Sequence, residues 1–228
     1  RDQVPGSNTD YYAVQHWVQV SNQGVGIVWS SLDAPLAELR GLWPGYVSGA
    51  HHGVTPPGYG HPFLKSGELT KAHIYAMLMY SNFRTNFVNV CPGEALFRFC
   101  LTSDGRAGLE RQATRLGWEA ANPPLTAWLR GPQAGPLPVC HSFLQVDAEN
   151  VLLLACKRAE DGRGLILRLL ETEGKPTRVR VTLPDSKLLH AYRTNLVEED
   201  QDLLPCTEHT VTAEVGARAY ATMRLLLR

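Results

Sequence analysis

Alternating apolar and polar residues predict β-strands along most of this chain. Between Tyr12 and Val20 the residues follow the two-residue period of an extended strand. The turn sequence Ser21-Asn22-Gln23-Gly24 separates this run from a second one, Val25 to Ser30, so the pair predicts a hairpin. His73 to Val90 and Ala95 to Thr102 also have β character.

The chain after Cys140 consists of short apolar runs separated by turn sequences such as Asp161-Gly162 and Gly174-Lys175-Pro176. Many short strands with evenly spaced turns are typical of an antiparallel β-sandwich. The predicted strands are Phe143 to Asp147, Val151 to Lys157, Leu165 to Glu171, Arg178 to Leu183, Leu188 to Arg193, Thr210 to Val215 and Ala219 to Leu227.

Two segments depart from the strand pattern. From Asp104 to Ala121, apolar residues recur at helical spacing after the potential caps Ser103 and Asp104, which predicts the one short helix. Trp43 to Gly67 is rich in glycine and proline and is expected to be a long surface loop. We therefore predict an all-β protein with residues 1–228 in one large antiparallel β-sandwich. Two small sandwiches joined near Gly131 to Pro138 remain the alternative.

Charge and hydropathy exclude several classes of partner. Lys+Arg and Asp+Glu number 22 each, so the chain has no basic field for a nucleic acid or an anionic membrane. No apolar run approaches the roughly 20 residues that span a bilayer. We expect a soluble, cytoplasmic globule. Because the first residue is Arg1 and no signal peptide is evident, an excised or processed fragment is also expected.

The five cysteines are odd in number and widely spaced, which favours buried thiols of a reducing compartment over a disulfide framework. No cysteine pair has the short spacing that structural zinc prefers. The cysteines are Cys91, Cys100, Cys140, Cys156 and Cys206.

Candidate catalytic groups are few. His51, His52 and His61 match no common metal-ligand spacing and are interpreted as exposed loop residues, so no metal site is predicted. The acidic clusters Glu198-Glu199-Asp200 and Glu160-Asp161 are interpreted as solvated charge runs rather than as the carboxylate pair of a glycosidase. No catalytic residue is therefore assigned.

Aromatic side chains offer a way to bind sugars, because exposed rings can stack on flat apolar faces. Most of the tryptophans are expected in the core. Trp43 and Tyr46, which open the Gly/Pro-rich loop, are the best candidates for sugar stacking.

Several sequence blocks resemble the C-terminal region of family 38 glycoside hydrolases, the α-mannosidase family. The first is DQVPGS at Asp2 to Ser7 followed by YYAVQHWVQVS at Tyr11 to Ser21. The others, in family order, are GVGIVWSSLDAPL at Gly24 to Leu36, MYSNFRTNF at Met79 to Phe87, GLILRLLE at Gly164 to Glu171 and the closing strand Ala219 to Leu225. Tyr80, Ser81 and Phe83 depart from the third block, whereas Thr85 and Asn86 keep it.

The resemblance implies a galactose-mutarotase-like sandwich that packs against an N-terminal catalytic α/β barrel and completes its active-site cleft. It implies that the zinc ion and the aspartate nucleophile belong to that barrel, so this chain itself needs no cofactor. The expected partners are the chain's own catalytic domain and α-mannosides. Thr85 and Asn86 are the residues expected at the domain interface or near the sugar. An independent carbohydrate-binding module or a structural interaction domain is the alternative.

Overall fold

The computed structural model describes residues 11–39, 71–79, 90, 92–105, 109–132 and 134–228. The chain divides into two compact units, Arg1–Leu125 and Thr126–Arg228, called unit 1 and unit 2 below. The predicted organisation as one domain, with a sub-boundary near 131–138, stays a prediction.

Unit 1 contains six described strands and one helix. The strands are β1 (Tyr11–Ala13), β2 (Val18–Ser21), β3 (Gly26–Ser31), β4 (Leu36–Glu38), β5 (Tyr75–Ala76) and β6 (Phe99–Asp104), and α1 spans Leu109–Ala121. They form two antiparallel sheets with the orders β1-β4-β5 and β2-β3-β6. The predicted β2–β3 hairpin is confirmed, with Asn22 Oδ1 accepting the Gly24 and Val25 amides at 2.8 and 2.9 Å.

The helix covers one face of the β2-β3-β6 sheet. Val28, Leu109 and Ala113 are buried together, with Trp17 and Leu116 packed against them. A Cβ at Gly26 would lie 1.9 Å from Leu109 Cδ2, so a larger residue there would force the buried Leu109 side chain to shift.

Two expectations for unit 1 were wrong in their bounds. Tyr12 to Val20 is two strands, because the chain bends at Gln15 and His16 and passes from one sheet to the other. The helix begins later than predicted, since Asp104 is the last residue of β6. The predicted loop Trp43 to Gly67 lies outside the described residues.

Unit 2 is a sandwich of two antiparallel sheets. Its strands are β7 (Gln145–Val146), β8 (Val151–Arg158), β9 (Leu165–Glu171), β10 (Thr177–Thr182), β11 (Leu188–Thr194), β12 (Asp200–Leu203), β13 (Thr210–Val215) and β14 (Tyr220–Leu227). One sheet has the order β12-β11-β14-β9-β8 and the other β13-β10-β7. The all-β prediction with a single short helix is confirmed in the described residues.

Strand alternation builds the core of unit 2. In β10 the buried Val179 and Val181 alternate with the exposed Arg178 and Arg180, and their partners on β13 are Ala213 and Val211. Apolar residues of β9, β11 and β14 join the same cluster. Burying such side chains contributes about 1.5–3 kcal/mol each, which makes this cluster the main source of stability in unit 2.

Candidate functional site

The sequence-predicted site residues Trp43, Tyr46, Thr85 and Asn86 lie outside the described residues, and so do His51, His52 and His61. Their assignments stay predictions. The described neighbour His73 places Nδ1 3.0 Å from the Tyr75 hydroxyl oxygen.

An open cleft of about 380 Å³ lies in unit 1. Hydrogen-bonding side chains at Gln19, Ser21, Lys71 and His73 share its wall with apolar residues Val18, Val20, Leu39 and Ala72. Mixed polar and apolar walls are typical of small-ligand sites.

Arg224 forms the centre of an ionic cluster at one end of the five-stranded sheet. Its side chain is buried, with 3% exposed. Nε donates to Asp200 Oδ1 at 2.7 Å, and Nη1 donates to Asp161 Oδ1 at 2.8 Å. The guanidinium also donates to the carbonyl oxygens of Arg163 and Glu198, at 2.8 and 2.7 Å. These four acceptors pair with the N–H groups of the guanidinium and so compensate for the cost of burying its charge.

Two carboxylates near Arg224, those of Asp161 and Glu198, have lowered pKa values. A hydrogen bond from the Arg163 amide, supported by the Arg163 and Arg224 side chains, lowers the pKa of Asp161 to about 2. Hydrogen bonds from Lys157 and from the Glu160 amide lower the pKa of Glu198. Glu198 has a positive φ of 67° and is buried, which overturns its interpretation as part of a solvated charge run. The Lys157 ammonium 2.8 Å from Glu198 Oε1 compensates for that burial.

Glu171 is a second buried carboxylate, at the end of β9, with no exposed surface. Oε1 accepts Asn150 Nδ2 and the Glu173 amide, each at 2.8 Å. Oε2 accepts the Gly174 and Arg218 amides at 2.8 and 2.9 Å. Burial alone would raise the pKa of Glu171, but these four hydrogen bonds together lower it to about 2. Glu171 therefore links, through hydrogen bonds, the turn after β9 and the chain segment before β14.

Sequence reasoning missed both clusters, although each has a local signal. Arg224 is a lone cation within the apolar run YATMRLLL, and Glu171 closes the run LILRLLE. A single charge in a buried strand requires a partner, because an unpaired charge in the core is costly. The partners themselves cannot be read from the local pattern.

The cysteine and tryptophan expectations need correction. Cys140 and Cys156 are exposed, and Cys100 and Cys206 are partly buried. Cys156 is exposed because β8 is an edge strand, and Cys140 because it lies in an irregular segment. Trp29 is buried as expected, but Trp128 is 96% exposed.

Within the described ranges the chain offers neither a metal site nor a membrane-spanning helix. No group of three or more His, Cys, Asp or Glu side chains there could hold a metal ion, so these residues do not fit a zinc ion. No described helix is long and apolar enough to cross a membrane. The cytoplasmic location stays a prediction.

Three known proteins that are similar to this chain are all named as glycoside hydrolases or as hydrolases of mannosides. A putative mannosylglycerate hydrolase of Halalkalibacterium halodurans is 37% identical over 92 residues, which are 40% of this chain and 10% of that protein. An α-mannosidase from Enterococcus faecalis superposes with a TM-score of 0.59 at 17% identity over 96% of this chain. A family 38 glycosyl hydrolase from the same species gives a TM-score of 0.56 at 16% identity over 95% of this chain.

The two solved relatives share the fold, and this chain spans only 21% and 22% of their length. The family model "Glycosyl hydrolases family 38 C-terminal beta sandwich domain" matches residues 150–220, which include β8 to β13 of unit 2. Residues 150–220 of this chain are therefore similar to the C-terminal β-sandwich domain of the family 38 glycoside hydrolases.

Proposed function

We propose that this chain is the non-catalytic C-terminal region of an α-mannosidase-type glycoside hydrolase, and that it supports the active-site cleft of a separate catalytic domain. The observation that carries the proposal is the match of residues 150–220 to the family 38 C-terminal sandwich. The names of the relatives, an α-mannosidase and a putative mannosylglycerate hydrolase, favour α-mannosides as the substrate class.

The described carboxylates support a non-catalytic role. A glycosidase needs a general acid whose pKa is raised so that it stays protonated near neutral pH. All five described carboxyl groups with a resolved shift have lowered pKa values instead: Asp33, Asp161, Glu171, Glu198 and Glu208. Each accepts hydrogen bonds from cationic side chains or amide groups, as expected for structural carboxylates. We therefore assign the catalytic acid, the nucleophile and the zinc to the catalytic domain.

The full-length enzyme carrying Asn86→Ala tests the support of the cleft. We expect a lower kcat on an aryl α-mannoside with an unchanged Tm, because a residue at the cleft acts on the reaction and not on the fold. Asn22→Ala is the matched control. Asn22 closes the β2–β3 turn through its side chain, so its loss should lower the Tm and leave kcat unchanged. A large drop in Tm with normal turnover for Asn86→Ala would contradict the proposal.

A carbohydrate-binding module is the second candidate, favoured by the unit 1 cleft with its Gln19, Ser21, Lys71 and His73 side chains. Calorimetric titration of the 228-residue chain with mannose oligomers distinguishes the two. Binding at about millimolar affinity or tighter that disappears in Trp43→Ala supports the module. The first proposal predicts that the chain alone neither hydrolyses an aryl α-mannoside nor binds zinc.

A further inference from the structure

The unit 1 cleft follows the open edge of β2. All four residues of this strand, Val18–Ser21, line it. Successive side chains of a strand point to opposite faces of its sheet, so a cleft lined by four consecutive residues lies along the edge of the strand and not over one face. In the described part of the sheet, β2 is an outer strand that pairs with β3 alone. The edge of β2 therefore offers backbone N–H and C=O groups to a ligand.

The rest of the described lining comes from the ends of two strands in the other sheet of unit 1. Leu39 follows β4, and residues 71–73 precede β5. The volume of about 380 Å³ is near the lower end of the range for ligand sites, about 300–1,000 Å³, and suits one monosaccharide-sized molecule. Apolar side chains for the C–H face of a sugar ring and polar side chains for its hydroxyl groups are both present: Val18, Val20, Leu39 and Ala72, and Gln19 and Ser21.

Lys71 gives the cleft a positive charge that its described lining does not neutralise. No Asp or Glu is among the described lining residues. Lys157, Lys175 and Lys187 each form an ion pair with a carboxylate, whereas Lys71 has no such partner in the part of the chain that the structure describes. An unpaired lysine is ordinary on a flat surface. In the wall of a concave site it attracts an anionic group.

His73 adds a positioned hydrogen-bond donor to the same wall. Its Nδ1 lies 3.0 Å from the Tyr75 hydroxyl oxygen, and the two rings meet edge to face at 5.9 Å. When Nδ1 accepts a hydrogen bond from this hydroxyl, the neutral imidazole carries its hydrogen on Nε2, which can then donate to an anion.

The chemistry of the lining favours a carboxylate over a phosphate. Arginine side chains and helix N-termini are typical phosphate-binding groups, and the described lining contains neither. One lysine and one imidazole match the single charge of a carboxylate better than the charge of about −1.5 to −2 on a phosphate monoester.

We propose that the unit 1 cleft binds a sugar acid, with the carboxylate held by Lys71 and His73 and the hydroxyl groups bonded to Gln19, Ser21 and the edge of β2. The proposal rests on the second candidate function, a carbohydrate-binding module, and changes its ligand from neutral mannose oligomers to an anionic monosaccharide. It is independent of the support of a catalytic domain, which is tested through kcat and not through binding to this chain.

Calorimetric titration of the 228-residue chain with D-mannuronate, D-mannose and D-mannose 6-phosphate tests the ligand class, because the three sugars differ only at C6. We expect mannuronate to bind with a Kd of about 1 mM or tighter, and mannose at least about tenfold more weakly. Lys71→Gln and His73→Gln should each weaken the binding of mannuronate by about tenfold. Lys175→Gln is the matched control. It removes the same charge from a side chain that is 72% exposed in unit 2, and it should bind mannuronate as the wild-type chain does.

Two-dimensional NMR locates the bound sugar without any substitution. Addition of mannuronate should shift the amide signals of Gln19, Ser21 and Ala72 and leave those of unit 2 unchanged. Shifts that lie elsewhere, or a loss of affinity in Lys175→Gln equal to that in Lys71→Gln, mean that the cleft is not the site and overturn the proposal.

The comparison of the three sugars gives the other contrary outcomes. Equal affinity for mannuronate and mannose, or no binding of mannuronate at about 10 mM, contradicts the proposal. A lower Kd for mannose 6-phosphate than for mannuronate identifies the ligand as a phosphate and overturns the carboxylate assignment. Binding of mannose oligomers that disappears in Trp43→Ala, together with no response to mannuronate, would keep the carbohydrate-binding module and overturn this inference alone.

Discussion

Replacing Glu171 by glutamine should destabilise unit 2 strongly although the side chain keeps its shape. The two carboxylate oxygens accept four hydrogen bonds, from Asn150 Nδ2 and from the amides of Glu173, Gly174 and Arg218. A glutamine places an NH₂ group where one of the two oxygens was. The two donors that bonded to that oxygen then face another donor and lose their acceptor. Each buried group left without its partner costs about 1–3 kcal/mol, so we expect a loss of about 2–6 kcal/mol. That is a large fraction of the stability of a small unit.

The loss of stability caused by Glu171→Gln should depend on pH in a defined direction. The folded pKa of Glu171 is about 2, below its usual 4.5, so the ionised carboxylate stabilises the fold above pH 4.5. This contribution decreases as the pH falls from 4.5 through 2, where the folded carboxylate becomes protonated. The difference in unfolding free energy between the wild-type protein and Glu171→Gln should therefore be largest near neutral pH and shrink on acidification.

Native-state hydrogen exchange of the β9 and β14 amides is the appropriate assay, because it reports the opening of unit 2 even if unit 1 unfolds separately. Glu214→Gln is the matched control. Glu214 is 68% exposed and lies 3.7 Å from Arg178, so its replacement should change the stability by less than about 1 kcal/mol. Equal exchange in Glu171→Gln and the wild-type protein at pH 7, or a difference that does not shrink at low pH, would refute the reasoning.

Two further substitutions test the end of the five-stranded sheet at which Arg224 lies. Arg224→Lys should lower the unfolding free energy by about 2 kcal/mol, because one ammonium group cannot replace a guanidinium that donates to two carboxylates and two carbonyl oxygens. Arg178→Lys, at an exposed site, is the control and should be nearly neutral in the same thermal unfolding measurement. Gly164→Ala should lower the urea midpoint more than Gly174→Ala. Both glycines have φ near +80°, but only at Gly164 would a Cβ meet a backbone atom, Leu225 O at 2.2 Å, and equal midpoints would contradict this explanation.

The strands of unit 2 were predictable because their signal is local. The predicted bounds Leu165 to Glu171 and Thr210 to Val215 coincide with β9 and β13. The strand Asp200–Leu203 was missed, since its polar sequence DQDL has an exposed side chain at every position and no apolar period to detect. Edge strands of this kind are held by backbone pairing with a neighbour, which sequence alternation does not reveal.

The candidate site was less accessible to sequence reasoning. Thr85, Asn86, Trp43 and Tyr46 were chosen from a family resemblance and from composition, and they remain predictions to be tested by the variants above. Glu198 shows why composition misleads: an acidic run is usually solvated, yet Lys157 and the Glu160 amide hold this carboxylate in a buried position.

The sequence by itself determined the fold class and indicated the resemblance to family 38 glycoside hydrolases, because strand period, turn residues and local motifs are all properties of neighbouring positions. Only the tertiary structure decided that Tyr12 to Val20 is shared between two sheets, and that Arg224 pairs with Asp200 and Asp161, 24 and 63 positions away. The physical reason is that the alternation of residues along a strand shows which of its faces is apolar. Which side chain packs or bonds against a given residue depends on the strand register and on distant chain segments that meet in space.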